Sequence, residues 1–184
     1  MEYKLTAPCT AADLAPLRAG DTVLLSGVVY TARDQAHKRM MEALDRGEAL
    51  PFPLEGSAIY YVGPTPERPG QVIGSAGPTT SGRMDSMSPR LLDLGNKIMI
   101  GKGKRDAAVK TAVRRNGAVY LAALGGAGAL MAKSVRSLEV IAWPDLGCEA
   151  VRQLEVEDMP LTVILDSVGG DLYESGPAAY LASL

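Results

Sequence analysis

The sequence is short of cysteine. Its 184 residues include two, Cys9 and Cys148. Two thiols are too few for a disulfide scaffold, and no Cys-x-x-Cys or His-rich spacing accompanies them to indicate a zinc site. We therefore expect two reduced thiols and no metal site in this chain.

Aromatic residues and excess positive charge are also scarce. The chain has one Trp, one Phe and seven Tyr, and its formal net charge is −2. It therefore lacks the stacking surface and the broad basic field of a nucleic-acid-binding protein. No apolar run approaches the length of a membrane span, and the N-terminus lacks the basic and apolar regions of a signal peptide. We expect a cytoplasmic protein that binds neither nucleic acid nor membrane.

Strands alternating with helices account for most of the chain. Hydrophobic residues make up 47% of it and charged residues 22%, which is ordinary globular composition. The predicted strands are 21–30, 57–63, 71–77, 97–101, 118–123, 137–143 and 160–170. The predicted helices are 31–47 (with Thr31 as N-cap), 88–95, 104–117 and 126–135, and residues 176–184 are predicted to form a C-terminal helix or tail. This alternation predicts one α/β domain over residues 1–184, with a mixed sheet flanked by helices and an N-terminal extension at 1–19.

The densest set of hydrogen-bonding groups lies in GPTTSGRMD, residues 77–85. Pro78 restricts the local backbone, and Gly82 permits a tight bend. If the segment bends into a helical turn, Thr79 and Arg83 share one face at four-residue spacing. A threonine beside a guanidinium can hydrogen-bond a substrate, or act as a base if a carboxylate activates it.

Other basic residues follow predicted strand ends. Arg33 comes directly after strand 21–30, His37 lies one helical turn further on, and Lys102 follows strand 97–101 between two glycines. Ligands of α/β sheets collect beside strand ends, and arginine binds carboxylates through a bidentate fork. Two arginines and a lysine meeting there would bind a small dianion. Each residue alone has an ordinary alternative: a solvated side chain, a packing histidine or a plain turn.

Four segments together resemble a known family. They are RDQAHK (33–38), GPTTSGRMD (77–85), MIGKG (99–103) and the tail from LGCEAV (146–151) to VEDMPLTVILDSVGGDLY (156–173). From about residue 20 onward, the chain resembles the β subunit of class I fumarate hydratases and L-tartrate dehydratases. The resemblance implies a swivelling β/β/α domain that closes on a separate α subunit in an α2β2 assembly. It also implies an iron–sulfur hydro-lyase that hydrates fumarate to malate, or dehydrates tartrate.

The resemblance also implies roles for particular residues. Thr79 matches the proposed catalytic base, and the substrate carboxylates would be held by Arg33, Arg83 and Lys102. The positions that match supporting residues behind the site are His37, Thr80 and Asp85.

The cofactor implied by the resemblance is a 4Fe–4S cluster with an open iron, which needs three thiolates. Because this chain has two, the resemblance places the cluster on the partner α subunit. A C4 dicarboxylate is the implied substrate, and the choice between fumarate/malate and tartrate stays open. The alternative is a non-catalytic carboxylate-binding or assembly module that retains the fold.

Overall fold

The computed structural model describes residues 1–124 and 126–183, so the last residue of the predicted helix or tail 176–184 lies outside the described residues. Seven strands are present in this part of the chain: β1 (Glu2–Ala7), β2 (Thr22–Thr31), β3 (Ala58–Tyr60), β4 (Ile98–Gly101), β5 (Val119–Ala122), β6 (Val135–Ala142) and β7 (Val151–Leu165). The α-helices are α1 (Ala11–Leu14), α2 (Asp34–Asp45), α3 (Ser88–Asp93), α4 (Ala107–Asn116), α5 (Gly128–Lys133) and α6 (Leu172–Ala182). Two 3₁₀ helices cover Ser81–Met84 and Pro144–Glu149. Among these described helices, none has the length and apolar character to cross a bilayer.

The strands form one mixed sheet in the order β1-β2-β3-β4-β5-β7-β6. Strands β1 to β5 run parallel to one another, and β7 runs antiparallel to β2, β5 and β6. The pairing of β7 with β2 extends from Thr22↔Thr162 to Thr31↔Arg152. Since β7 also pairs with β5, the sheet partly closes on itself. The predicted α/β domain with a mixed sheet and flanking helices is confirmed.

Side-chain alternation along the central strands buries both faces of the sheet. In β4, Ile98 and Ile100 belong to one apolar cluster, whereas Met99 belongs to the other. In β5, Val119 and Leu121 belong to the first cluster and Tyr120 to the second. The second cluster also includes buried apolar residues from each of α2, α3 and α4, so Met99 and Tyr120 face the helices.

The start of α2 differs from the prediction. Thr31 is the last residue of β2, where its hydroxyl donates to the Ala150 carbonyl and accepts from the Arg152 amide. Because that hydroxyl is bound to β7, Thr31 does not cap the helix, and the predicted N-cap was wrong. Helix α2 begins at Asp34, and Arg33 occupies the N-cap position without a side-chain cap of its own.

Residues 1–19 pack onto the sheet. Strand β1 pairs in parallel with β2 from Glu2↔Thr22 to Ala7↔Gly27. Leu14 and Leu17 are fully buried in the first apolar cluster. In this structure, the segment predicted to be an extension therefore contributes a strand and core side chains.

The strand predicted at 71–77 does not form. Residues 71–77 are irregular, and two of their backbone groups bond outside the sheet: the Ser75 carbonyl accepts from the Thr65 amide, and the Ala76 amide donates to the Gly128 carbonyl at the start of α5. Glycines at positions 74 and 77 weaken a strand, which explains why a run containing only two β-branched residues stays outside the sheet.

Candidate functional site

Three loops meet at the carboxyl ends of β2, β3 and β4. Because these strands are parallel and adjacent, the residues that follow them lie at one edge of the sheet. The chain after β2 carries Arg33. The Thr79 amide donates to the Tyr61 carbonyl just after β3, and the Ser81 amide donates to the Lys102 carbonyl just after β4. The sheet topology thus brings the predicted site segments together.

Thr79, Arg83, Asp34 and Arg33 are linked in a row. One guanidinium nitrogen of Arg83, Nη2, donates to Thr79 Oγ1 at 2.7 Å and to Asp34 Oδ2 at 2.7 Å. Arg33 Nε lies 3.4 Å from the same Asp34 oxygen. The 3₁₀ helix Ser81–Met84 supplies the bend, so Thr79 and Arg83 share a face as their spacing indicated. Asp34 was not among the predicted site residues, although it directly follows Arg33.

The charge of Asp34 is maintained by its neighbours. Partial burial on its own would raise the pKa of this carboxyl group, but the hydrogen bond and positive charge of Arg83, with a contribution from Arg33, lower the pKa below its usual value. Asp34 is therefore ionised at neutral pH and acts as a fixed anion between two cations.

Glu149 reaches the same place from the 3₁₀ helix Pro144–Glu149. Its Oε2 accepts from the Gln35 backbone amide at 2.6 Å, and its Oε1 lies 3.4 Å from Arg33 Nε. Glu149 thus caps the N-terminus of α2, which Arg33 leaves uncapped. The sequence separation of 114 residues between Gln35 and Glu149 gave no local signal for this contact.

An open cleft of about 310 Å³ lies over this row of charges. Its lining residues are Arg33, Asp34, Gln35, Lys38, Arg83, Met87 and Glu149. Arg33 is about one-quarter exposed and Arg83 nearly half exposed, so both remain accessible to a ligand. The side chains of Thr79 and Lys102 do not line the cleft itself.

Lys102 and Thr80 lie beside each other through backbone pairing. They form a parallel bridge, and Ser81 bonds both backbone groups of Lys102: its amide donates to the Lys102 carbonyl, and its hydroxyl accepts from the Lys102 amide at 3.0 Å. The Thr80 side chain is exposed and makes no capping bond to the 3₁₀ helix. The structure thus places Lys102 next to the 79–85 segment, but not in the row formed by Thr79, Arg83, Asp34 and Arg33.

Asp85 anchors the end of the 79–85 segment from below. Its two carboxylate oxygens accept from Arg105 Nε and from the Asp106 amide, each at 2.6 Å. The Arg105 side chain is fully buried, donates to Ser88 Oγ and lies over the rings of Tyr61 and Tyr120. Sequence reasoning missed Arg105, which lay inside the predicted helix 104–117 with no local sign of burial, whereas in the structure α4 begins at Ala107.

His37 is buried beneath the site. Its backbone amide donates to the Arg33 carbonyl, its Nδ1 lies 3.1 Å from the same oxygen, and its ring meets Tyr61 edge-on. Its Nε2 is buried and has no hydrogen-bond partner in the structure. Burial, with a smaller effect of the Arg105 charge, lowers the pKa of His37 from 6.5 to about 4. His37 is therefore neutral at physiological pH and packs behind Arg33.

The two thiols do not fit an iron–sulfur cluster. Cys9 is buried in the apolar core, where burial raises its pKa to about 11, whereas Cys148 is exposed on the 3₁₀ helix Pro144–Glu149. Within residues 1–124 and 126–183, no three His, Cys, Asp or Glu side chains are grouped to hold a metal ion.

Comparison with known proteins gives the family. A family model described as the C-terminus of fumarase matches residues 1–176. The chain belongs to this fumarase C-terminus family. The predicted resemblance to the β subunit of class I hydro-lyases is thereby confirmed.

Three relatives illustrate the similarity. The chain is 33% identical over 177 residues to the L(+)-tartrate dehydratase subunit beta of Escherichia coli K12, covering 94% of this chain and 87% of the relative. It is 41% identical over 167 residues to fumarate hydratase 2 of Leishmania major, covering 88% of this chain and 29% of the relative. It is 39% identical over 165 residues to the aerobic class I fumarate hydratase of Escherichia coli K12, covering 89% and 30%. The chain thus spans about 30% of the length of these fumarate hydratases.

Proposed function

We propose that this chain is the β subunit of a two-subunit hydro-lyase acting on a C4 dicarboxylate. The observation that carries the proposal is the position of Arg83 Nη2, 2.7 Å from both Thr79 Oγ1 and Asp34 Oδ2. It joins a cation suited to carboxylate binding with a hydroxyl suited to proton transfer. The names of the relatives, fumarate hydratase and tartrate dehydratase, support the same reaction class.

Arg33 and Arg83 hold the substrate carboxylates in this proposal. Both guanidinium groups approach Asp34, so their charges lie close enough together to bind one small dianion. Lys102 adds a third cation from the loop beside Thr80 and Ser81. His37, Thr80 and Asp85 support these residues without contacting the substrate.

Thr79 is the proposed base at the substrate carbon. An ordinary threonine hydroxyl is a weak base, but its anion is stabilised by a guanidinium that already donates to the oxygen. In dehydration, Thr79 Oγ1 as the alkoxide would take the proton from the carbon next to the one that carries the leaving hydroxyl group, and would become the neutral hydroxyl. In hydration, the same oxygen would return the proton to carbon.

The remaining parts of the reaction belong to a partner in this proposal. The subunit name of the tartrate dehydratase relative and the partial length of the fumarate hydratase matches both support a separate α subunit. We assign the 4Fe–4S cluster and the departure of the hydroxyl group to that subunit, in an α2β2 assembly. Fumarate/malate and tartrate are both candidate substrates.

The test is anaerobic reconstitution of the chain with its α subunit, followed by assay with fumarate, malate and tartrate. Thr79→Val keeps the β-branched shape and removes the hydroxyl, so kcat should fall by about 10²–10⁴-fold while KM changes little. Arg83→Ala should reduce kcat/KM by about ten- to a hundred-fold, because it removes a charge-assisted hydrogen bond.

Two controls make the result interpretable. Thr80→Val removes the neighbouring exposed hydroxyl, and Arg115→Ala removes a surface arginine that pairs with Asp93. Arg115→Ala should retain near wild-type turnover, and Thr80→Val should reduce turnover less than Thr79→Val does. A Thr79→Val complex with wild-type kcat would place the base elsewhere and leave this domain as a substrate clamp. A complex inactive with all three substrates would favour the non-catalytic carboxylate-binding or assembly module.

A further inference from the structure

The Glu149 carboxylate occupies a position with the geometry of a carboxylate-binding subsite. One of its oxygens accepts from the Gln35 backbone amide at 2.6 Å, and the other lies 3.4 Å from Arg33 Nε. The Gln35 amide donates to this carboxylate and the positive charge of Arg33 lies beside it, so a helix N-terminus and an arginine jointly favour an anion at this position. Gln35 lies in the first turn of a 12-residue helix, so its amide has no partner within the helix.

The charges that line the cleft nearly balance while the Glu149 carboxylate lies beside Arg33. The lining contains three cations (Arg33, Lys38 and Arg83) and two anions (Asp34 and Glu149), which leaves one net positive charge. If the Glu149 side chain swings out, the net charge rises to two, which matches a dicarboxylate. Asp34 lies between both arginines and accepts a hydrogen bond of 2.7 Å from Arg83, so it stays as the fixed anion.

The segment that carries Glu149 is held independently of that carboxylate. Arg39 forms two hydrogen bonds with Asp145, and the guanidinium of Arg152 donates to the carbonyls of Gly147, Cys148 and Ala150. The Glu149 side chain can therefore leave Arg33 without release of the backbone of this segment.

We infer that Glu149 is an internal competitor for the substrate, and that one substrate carboxylate displaces it to bind Arg33 and the Gln35 amide. The inference rests on the proposed function, because it takes Arg33 as a carboxylate receptor. It adds the α2 N-terminus to the binding site and makes Glu149 a determinant of substrate affinity. A ligand with a carboxylate at the N-terminus of α2 can replace the ion pair that Arg33 loses when Glu149 leaves. A neutral analogue cannot replace it and therefore binds more weakly.

The experiment is calorimetric titration of the full chain with succinate, a C4 dicarboxylate. Glu149→Gln keeps an acceptor for the Gln35 amide but removes the competing charge, so the Kd for succinate should fall about five-fold. Glu149→Ala should tighten binding in the same direction, which guards against an effect peculiar to glutamine. Asp145→Asn is the matched control on the same segment, because Asp145 pairs with Arg39, and it should leave the Kd unchanged.

A double variant, Arg33→Ala/Glu149→Gln, tests the cause. With Arg33 absent, removal of Glu149 should give no gain relative to Arg33→Ala alone. Unchanged or weaker succinate binding by both Glu149 variants would overturn the inference, as would an equal gain in the Arg33→Ala background. The proposed function is tested separately by the activity of the wild-type complex. If that complex is active but neither Glu149 variant binds succinate more tightly, the role of Glu149 as a competitor is rejected and the proposed function stands.

Discussion

Replacement of Asp85 by alanine should be among the most destabilising single changes near the site. Asp85 is about one-tenth exposed, and its partner Arg105 is fully buried. The substitution removes two hydrogen bonds of 2.6 Å, one from Arg105 Nε and one from the Asp106 amide. The substitution leaves the Arg105 guanidinium buried without a counter-ion, and this group stays charged at every accessible pH.

Removing one partner of a buried ion pair costs about 3–5 kcal/mol. Arg105 would keep its bond to Ser88 Oγ and its positions over the rings of Tyr61 and Tyr120, which places the expected loss near the lower end. We therefore expect Asp85→Ala to lose about 3 kcal/mol in the free energy of unfolding. For a chain of this size, that loss lowers Tm by roughly 6–12 °C.

Urea unfolding of the isolated chain measures the loss, and a second variant tests its cause. In Asp85→Ala/Arg105→Met, both charges are gone and an apolar side chain fills the space beside Met99, so most of the lost stability should return. Surface pair Arg136–Glu157 provides a control, since Glu157→Ala should change stability by less than about 1 kcal/mol. An Asp85→Ala chain that loses under about 1 kcal/mol, or a double variant no more stable than the single one, would refute a buried-charge penalty.

Two further predictions concern His37 and the thiols. The pKa of His37 is about 4 in the folded chain and 6.5 as a free side chain, so the unfolded state binds the extra proton between these values. Stability should fall by up to about 3 kcal/mol as pH drops from 6.5 towards 4, with no His37 contribution above that range. Urea midpoints of His37→Gln should show a flatter pH dependence, and parallel curves would contradict this. Because Cys9 is buried with a pKa of about 11 and Cys148 is exposed, a thiol reagent should label one cysteine in the native chain and two after denaturation. Rapid labelling of both native thiols would contradict the buried position of Cys9.

Local spacing was enough to predict part of the site. Thr79 and Arg83 were placed on one face from their four-residue separation, and the short 3₁₀ helix produces that arrangement. The positions of Arg33 and Lys102 after strands also followed from pattern alone, because parallel neighbours end at the same edge. Sequence patterns can predict a site residue when its position is set within one helical turn or directly after one strand.

Other parts of the site depend on contacts between distant segments. Glu149 meets Gln35 across 114 residues, and Arg105 meets Asp85 across 20, so neither partner is marked by its neighbours in the sequence. Arg105 lay inside the predicted helix 104–117, but it precedes α4, and tertiary packing buries it. The same limit applies to β1, because it pairs with β2 across an intervening helix, and its alternating exposure makes a weak apolar pattern.

The pairing of β2 with β7 has a consequence for the order in which the chain can fold during synthesis. The β7 residues that pair with β2, Arg152 to Thr162, are synthesised about 130 residues after β2. At 5–20 residues per second, that interval lasts roughly 6–26 s. Throughout it, one edge of β2 has open backbone hydrogen-bonding groups, and β5 has no strand to close against. The sheet of the nascent domain therefore cannot close until β7 has been synthesised. A chain stalled before β7 retains an unpaired strand edge that is prone to association.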